Sequence, residues 1–244
     1  TVDVEKIRQH AAATDPTTSL GSEEEGIGPV VYLTFDEGSG GVAYNEMGTQ
    51  IVPKPAAWWK MDEATSGNCS GETLIDSGQR GATANCFAEI AYTTGKIGGA
   101  LSTSSSYTYT TTNVTPNTDN IALSAWVKWT ADTATDQYIL TNRGVMTMYL
   151  DDSDSNQLHF GVNLTDIDTG TTLTAGTWHH LVLTRRGGVI YGYKDGVEIY
   201  SGDTTDPGSG ACTESLCATI GMDSVGTNPF NGYMDNAKIF EVGL

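Results

Sequence analysis

Alternation of apolar and polar residues with a period of two dominates the chain after residue 58. In Ile121-Ala-Leu-Ser-Ala-Trp-Val-Lys-Trp, the residues Ile121, Leu123, Ala125 and Val127 fall on one face, as in a half-buried strand. Similar β-branched and aromatic runs occupy 138–141, 145–150, 157–164, 179–185, 189–194, 198–201, 218–222 and 233–241. Gly, Asp, Asn and Ser clusters separate them. Lys194-Asp-Gly-Val is a strong hairpin signal, because Asp-Gly accepts the left-handed backbone of a tight turn, and Asp151-Asp-Ser-Asp-Ser-Asn supplies a second hairpin. At least eight strands and almost no helix predict an all-β fold, a two-sheet antiparallel β-sandwich.

The first 54 residues break this pattern. Residues 1–28 have a short helix-compatible start over 4–13 and then an acidic, Gly-rich run, Ser22-Glu-Glu-Glu-Gly-Ile-Gly, which reads as a leader or linker. Residues 29–54 begin with Pro29-Val-Val-Tyr-Leu-Thr-Phe-Asp-Glu, which returns 26 residues later as Pro55-Ala-Ala-Trp-Trp-Lys-Met-Asp-Glu. That period is too short for a duplicated domain, so the repeat is one strand with its turn, and residues 55–244 form the domain proper. A spare strand with the same pattern could pair at a sheet edge through Val31, Leu33 and Phe35, in its own domain or in a neighbouring subunit. Pairing with a neighbour would build an open, head-to-tail filament. The other reading is a remnant of an upstream module.

Composition narrows the partners. Of 244 residues, 38% are hydrophobic and 17% charged, and no apolar run approaches a membrane span, so neither membrane insertion nor a coiled coil is expected. Thirty acidic against twelve basic side chains leave a formal charge of −18. The excess is spread out: nine acids and three bases to residue 57, twenty-one and nine beyond it, or −6 and −12. A phosphate backbone would be repelled, and no nucleic acid is expected as a partner. Four cysteines form two local pairs, Cys69 with Cys86 and Cys212 with Cys217. Three pairings are formally possible, and nearest-neighbour bridging is preferred because each bridge closes a short loop. Disulfides imply an oxidising compartment, hence a secreted or cell-surface protein. The chain lacks an initiating Met and a signal-like apolar run, so it is expected to be processed or excised from something longer.

Particular strings carry more than periodicity. Gly95-Lys-Ile-Gly-Gly-Ala-Leu-Ser, Leu123-Ser-Ala-Trp-Val-Lys, Leu173-Thr-Ala-Gly-Thr-Trp-His-His-Leu-Val-Leu-Thr-Arg, Tyr193-Lys-Asp-Gly-Val-Glu and Phe230-Asn-Gly-Tyr-Met-Asp-Asn-Ala-Lys-Ile-Phe occur in this order. Together they resemble the laminin G-like branch of the concanavalin A-like lectin and glucanase superfamily, over about residues 55–244. The resemblance implies a jelly roll whose first and last strands are near one another, with Trp126, Trp178 and Phe240 in the core. It also implies structural calcium, as in many members. Asp62 after the first strand and Asp235 on the last would then approach each other, with Asp76 adding a carboxylate. The alternative is that Asp62 and Asp235 accept loop amides. Where relatives often have an acidic loop, this chain has Thr103-Ser-Ser-Ser-Tyr, which counts against a ligand or metal role there.

Catalytic signatures are weak. Glycoside hydrolases of the superfamily carry a Glu-x-Asp-x-Glu strand that puts carboxylates on one face; here Asp36-Glu37 and Asp62-Glu63 are adjacent pairs pointing to opposite faces. No enzyme activity is expected. His179 and His180 are adjacent on a strand and cannot chelate one ion together. Asp152-Ser-Asp-Ser-Asn opens like a calcium loop without its Gly and closing Glu, and reads as a solvated hairpin tip. An aromatic platform for sugar could come from Tyr107, Tyr109, Trp129 and Tyr138, residues that equally suit core or cross-strand pairs. The expectation is a non-catalytic domain for adhesion or surface assembly, partnered by copies of itself or other surface proteins. A carbohydrate-binding module that takes glycans is the alternative.

Overall fold

The computed structural model of the chain describes residues 54–87, 90–103, 107–114, 120–143, 145–163, 165–203 and 216–241. The leader expected over 1–28, the first copy of the repeat with Val31, Leu33 and Phe35, and Cys212 lie outside the described residues. The described residues belong to the unit Lys54–Leu244. They form strands and no helix: β1 (Ala57–Trp59), β2 (Gly67–Asn68), β3 (Thr73–Leu74), β4 (Ala84–Phe87), β5 (Ala91–Thr94), β6 (Gly99–Ser102), β7 (Tyr107–Thr110), β8 (Ile121–Trp129), β9 (Gln137–Asn142), β10 (Met146–Asp151), β11 (Gln157–Val162), β12 (Thr165–Thr172), β13 (Trp178–Arg186), β14 (Val189–Lys194), β15 (Val197–Asp203), β16 (Ala218–Ile220) and β17 (Gly232–Phe240).

Two antiparallel sheets result. The first runs β15-β14-β13-β8-β17-β6-β5-β2, with β1 also paired to β17; the second runs β12-β11-β10-β9-β16-β7-β4-β3. This is the sandwich that the alternation predicts. Ile121, Leu123, Ala125 and Val127 of β8 are all fully buried, facing the interior as their spacing requires. From the second sheet, Met148, Leu158, Phe160 and Val162 meet them in one core. Phe160 reaches across to the first sheet, where a Cβ on Gly192 of β14 would lie 2.1 Å from its ring, so glycine there makes room for the phenyl group. The β14–β15 hairpin turns at Asp195 and Gly196, with φ of 54° and 79°, both left-handed as the Asp-Gly pair predicts.

β1 explains why the repeated string is shaped as it is. Its outer edge is not free: Trp58 accepts from the Ser77 amide at 2.8 Å and Ala56 from the Gln79 and Arg80 amides at 2.9 Å, while β17 holds the opposite edge. Ala57, Trp59 and Met61, the counterparts of Val31, Leu33 and Phe35, are fully buried, and the Trp59 indole donates to the Ala82 carbonyl at 2.7 Å. Cys69 and Cys86 are joined, closing a 17-residue separation, which stabilises the fold by roughly 3 kcal/mol through lost chain entropy of the unfolded state. Cys217 is also disulfide-bonded.

Two expectations need correction. Trp126 and Trp178 are not core residues: both are half-buried on the outward rows of β8 and β13, because their neighbours Ala125, Val127 and His179 take the inward positions. Phe240 is buried as expected, and the large side chains that fill the interior are Trp59, Phe160 and Phe230. Strand β12 is missing from the alternation pattern. Its sequence, Thr165-Asp-Ile-Asp-Thr-Gly-Thr-Thr, is polar because it is an edge strand with Ile167 as its buried apolar residue.

Candidate functional site

The outward rows of the second sheet carry a continuous band of polar and aromatic side chains. Tyr107 and Tyr109 of β7 lie with ring centroids 5.8 Å apart, and Phe87 of β4 is 5.0 Å from Tyr107. Tyr138 of β9 and Tyr149 of β10 stack at 4.8 Å with an interplanar angle of 9°. A register shift between Met148 and Tyr149 brings these two rings opposite each other. The Tyr149 hydroxyl donates to Asp166 at 2.6 Å, and burial followed by that hydrogen bond raises its pKa far above the ordinary tyrosine value. Burial also raises the Tyr138 phenol, helped by the Asp136 charge.

Beside this stack is a groove of about 220 Å³ lined by Tyr138, Thr141, Asn142, Thr147, Gly161 and Asp223, among others. Its floor is the outward face of β9, β10 and β11, where period-two alternation directs Thr141, Thr147 and Gly161 away from the core. The Thr141 and Thr147 hydroxyls are 2.8 Å apart. A Cβ on Gly161 would stand 2.5 Å from the Thr147 methyl, so the missing side chain keeps the floor open. One wall begins at Asp223, whose carboxylate accepts the Val225 and Thr227 amides at 3.0 and 2.7 Å, the Thr227 hydroxyl, and the Asn228 amide group at 3.1 Å. That loop returns to the sheet where the Tyr138 amide donates to the Asn228 carbonyl at 3.2 Å. The arrangement offers a flat apolar surface beside hydroxyl, amide and carboxylate groups, which is what a polyhydroxylated ring needs.

Of the aromatic candidates, Tyr107, Tyr109 and Tyr138 share this face and Trp129 does not. Trp129 is on the inward row of β8 and packs against the edge of the core, with its indole nitrogen buried and without a hydrogen-bond partner. Tyr149, Thr147 and Gly161 were not singled out by sequence, although their alternation with Met146, Met148, Phe160 and Val162 marks them as outward.

The proposed calcium ligands are placed differently from one another. Asp62 accepts the Gly99 amide and Asp235 the Ile97 amide, each at 2.8 Å, so both face the turn that joins β5 to β6. Burial raises the pKa of the fully buried Asp235. Asp76 accepts the Trp58, Gly78 and Ala82 amides at 2.8, 2.6 and 2.7 Å on a separate loop. The three form no set of ligand atoms within 4.8 Å of one another among the described residues. Backbone amides engage both oxygens of Asp76 and one oxygen each of Asp62 and Asp235, the loop-tethering use of aspartate, so the three carboxylates do not meet around one ion. His179 and His180 do point to opposite faces: His179 is buried and paired with Asp195 at 2.7 Å, and His180 contacts Ser124 at 2.9 Å on the outer face.

A family profile described as the concanavalin A-like lectin/glucanases superfamily, of laminin G type, matches residues 101–244. The chain belongs to that superfamily. No curated protein sequence matches it. Among solved structures it is similar to domain 4 of AbnA, an extracellular GH43 arabinanase from Geobacillus stearothermophilus in complex with arabinotriose. That match has 23% identity over 79% of this chain and 94% of that one, with a TM-score of 0.56. It is also similar to the binding domain of botulinum neurotoxin serotype D, at 14% identity, 78% and 49% coverage and a TM-score of 0.52. A Trypanosoma rangeli sialidase in complex with sialic acid follows at 15% identity, with 77% of this chain, 31% of that chain and a TM-score of 0.52. The chain thus spans about half of the neurotoxin binding domain and less than a third of the sialidase. At these identities the shared feature is the fold.

Proposed function

We propose that this domain is a non-catalytic carbohydrate-binding module of a secreted or surface-exposed protein, holding a saccharide in the groove beside Tyr138. The observation that carries the reading is the flush Tyr138–Tyr149 stack bordering a groove floored by Thr141, Thr147 and side-chain-free Gly161. At about 220 Å³ the groove is smaller than the roughly 300–1,000 Å³ of drug-sized pockets, so it takes one ring of a longer chain. The remainder would extend along the Tyr107–Tyr109 band. Asp223, the carboxylate in the lining, is held by donors of its own loop, an arrangement for accepting hydrogen bonds rather than transferring protons. The arabinotriose carried by the arabinanase domain makes arabino-oligosaccharides the first ligands to try. Calorimetric titration, preceded by a glycan array, should show binding that weakens at least tenfold in Tyr138→Ala. Absence of any glycan ligand, or unaltered affinity in the variant, would sink the reading.

Surface assembly by strand donation is the second reading, and the burial of Ala57, Trp59 and Met61 favours it, since Val31, Leu33 and Phe35 repeat their inward apolar pattern. Because β1 already has partners on both edges, a donated strand would replace β1 rather than add beside it. Light scattering on protein with and without residues 1–40 tests this: larger particles that require the segment support assembly, and monomers in both samples remove it.

A further inference from the structure

The hairpin that joins β10 to β11 and the edge strand β12 surround His159 with carboxylates, beyond the end of the groove. The His159 side chain is only 5% exposed, with Nδ1 at 3.0 and 3.2 Å from the two oxygens of Asp166. Asp166 also accepts from the Tyr149 hydroxyl, so it is held in place as a hydrogen-bond acceptor. Nδ1 therefore carries a proton, and the Nε2 position is left facing two further carboxylates, Asp154 Oδ2 at 3.4 Å and Asp168 Oδ1 at 3.7 Å. A lone pair directed at two anionic oxygens is repulsive unless a positive charge stands between them.

The distances indicate which charge. A charge-assisted N–H···O bond closes to about 2.7–2.9 Å, as the His179–Asp195 pair does at 2.7 Å in the same molecule. The Nε2 contacts are longer. Two ligands each about 2.0–2.1 Å from a tetrahedral zinc ion stand roughly 3.3 Å apart, close to the spacing seen here. Both carboxylates are positioned by the backbone. Asp154 is on a tip bent by Ser155 and Asn156, each with φ of 58°, and donates its amide to Asp151 at 3.1 Å. Asp168 is brought opposite His159 by the register shift in the β11–β12 pair, and its Oδ1 also accepts the Gly170 amide at 2.7 Å.

We propose that His159 Nε2, Asp154 and Asp168 bind a divalent transition-metal ion of the zinc class, with Asp166 orienting the imidazole from its other nitrogen. The three ligand atoms lie within 4.8 Å of one another. One imidazole with two carboxylates suits zinc and its neighbours, whereas calcium takes six to eight oxygens. Asp154 and Asp168 are 41% and 52% exposed, so an ion can enter from solvent and a water or a ligand oxygen can complete the coordination. The site does not depend on the carbohydrate reading.

The test uses the full chain, stripped with a chelator and titrated with Zn²⁺ by calorimetry and with Co²⁺ by visible absorption. The expected result is saturation at one equivalent, with cobalt bands of tetrahedral intensity and no competition from Ca²⁺. His159→Gln should abolish binding. Asp168→Asn, a change at an exposed position, should weaken it while leaving the circular dichroism unchanged. Asp166→Asn should lower affinity by about 10–100-fold, the usual effect of removing a carboxylate that orients a ligating histidine. The proposal is overturned if no equivalent binds, or if His159→Gln binds as well as the parent. It is equally overturned if nitrogen NMR shows an imidazole protonated on both nitrogens whose signals are unmoved by Zn²⁺.

Discussion

The outer face of the first sheet is built from tryptophans and lysines, that of the second from tyrosines, threonines and carboxylates. Five of the nine lysines and arginines beyond residue 57 stand over rings on the first face: Lys60 and Lys238 over Trp58, Lys96 over Trp126, Lys128 over Trp178 and Tyr233, and Arg186 over Tyr191. Those cationic groups, 4.3–5.3 Å from the ring centroids, occupy the π surface that a sugar ring would use. On the second face Tyr138 is stacked on another ring and borders a groove. What covers an aromatic side chain thus matters more for binding than how large it is. The histidines diverge in the same way. Burial lowers the pKa of His180 beside Lys238, whereas for His159 the pull of burial is outweighed by Asp166, Asp154 and Asp151 together and the pKa rises.

The most severe perturbation of the comparison is Phe160→Ala, since that ring packs beneath one face and against Gly192 of the other sheet. We expect a loss of about 3–5 kcal/mol in urea unfolding. A loss below about 1 kcal/mol would mean that the two faces do not share one core. Next comes the contrast between rings: Tyr138→Ala should weaken glycan binding at least tenfold, about 1.4 kcal/mol, while Trp126→Ala leaves affinity unchanged. Equal losses from both variants would place the binding surface elsewhere.

A pH dependence sharpens the contrast further. His180 has its folded-state pKa lowered, by burial first and by Lys238 second, with Asp195 acting weakly in the opposite sense. Its neutral form is favoured on folding, so its contribution to stability is complete above the unfolded value of about 6.5 and is lost as pH falls through the folded pKa. Denaturation midpoints between pH 7 and 5 should therefore decline less steeply in His180→Gln than in the parent. An identical slope in the two proteins would show that the ring is not the group responsible. The smallest effect expected is for Lys128→Met, which removes the ammonium from Trp178 and Tyr233 and should cost about 0.5–1 kcal/mol without touching glycan affinity.

The sandwich was legible because period-two alternation is a local signal: the buried row Ile121, Leu123, Ala125 and Val127 could be read residue by residue. The side on which Trp126 and Trp178 fall follows from the same rule, yet the family resemblance placed them in the core, and the local pattern was the better guide. Tyr107 and Tyr138 were recognisable as aromatic strand residues, but their shared face required knowing that β16, far along the sequence from both, lies between β7 and β9. His159 was hidden for a similar reason. Its carboxylates come from a hairpin tip that reads as solvated loop and from β12, whose Asp-rich sequence has none of the apolar alternation of a strand.

β1 carries one more consequence. Its three residues are held on one side by β17 and on the other by the chain from Asp76 to Arg80, with Trp59 anchored below. Any exchange of this strand between molecules must wait for that enclosure to open within a single molecule. The speed of such exchange would then level off as protein concentration rises, and its ceiling would be the opening frequency of the enclosure itself.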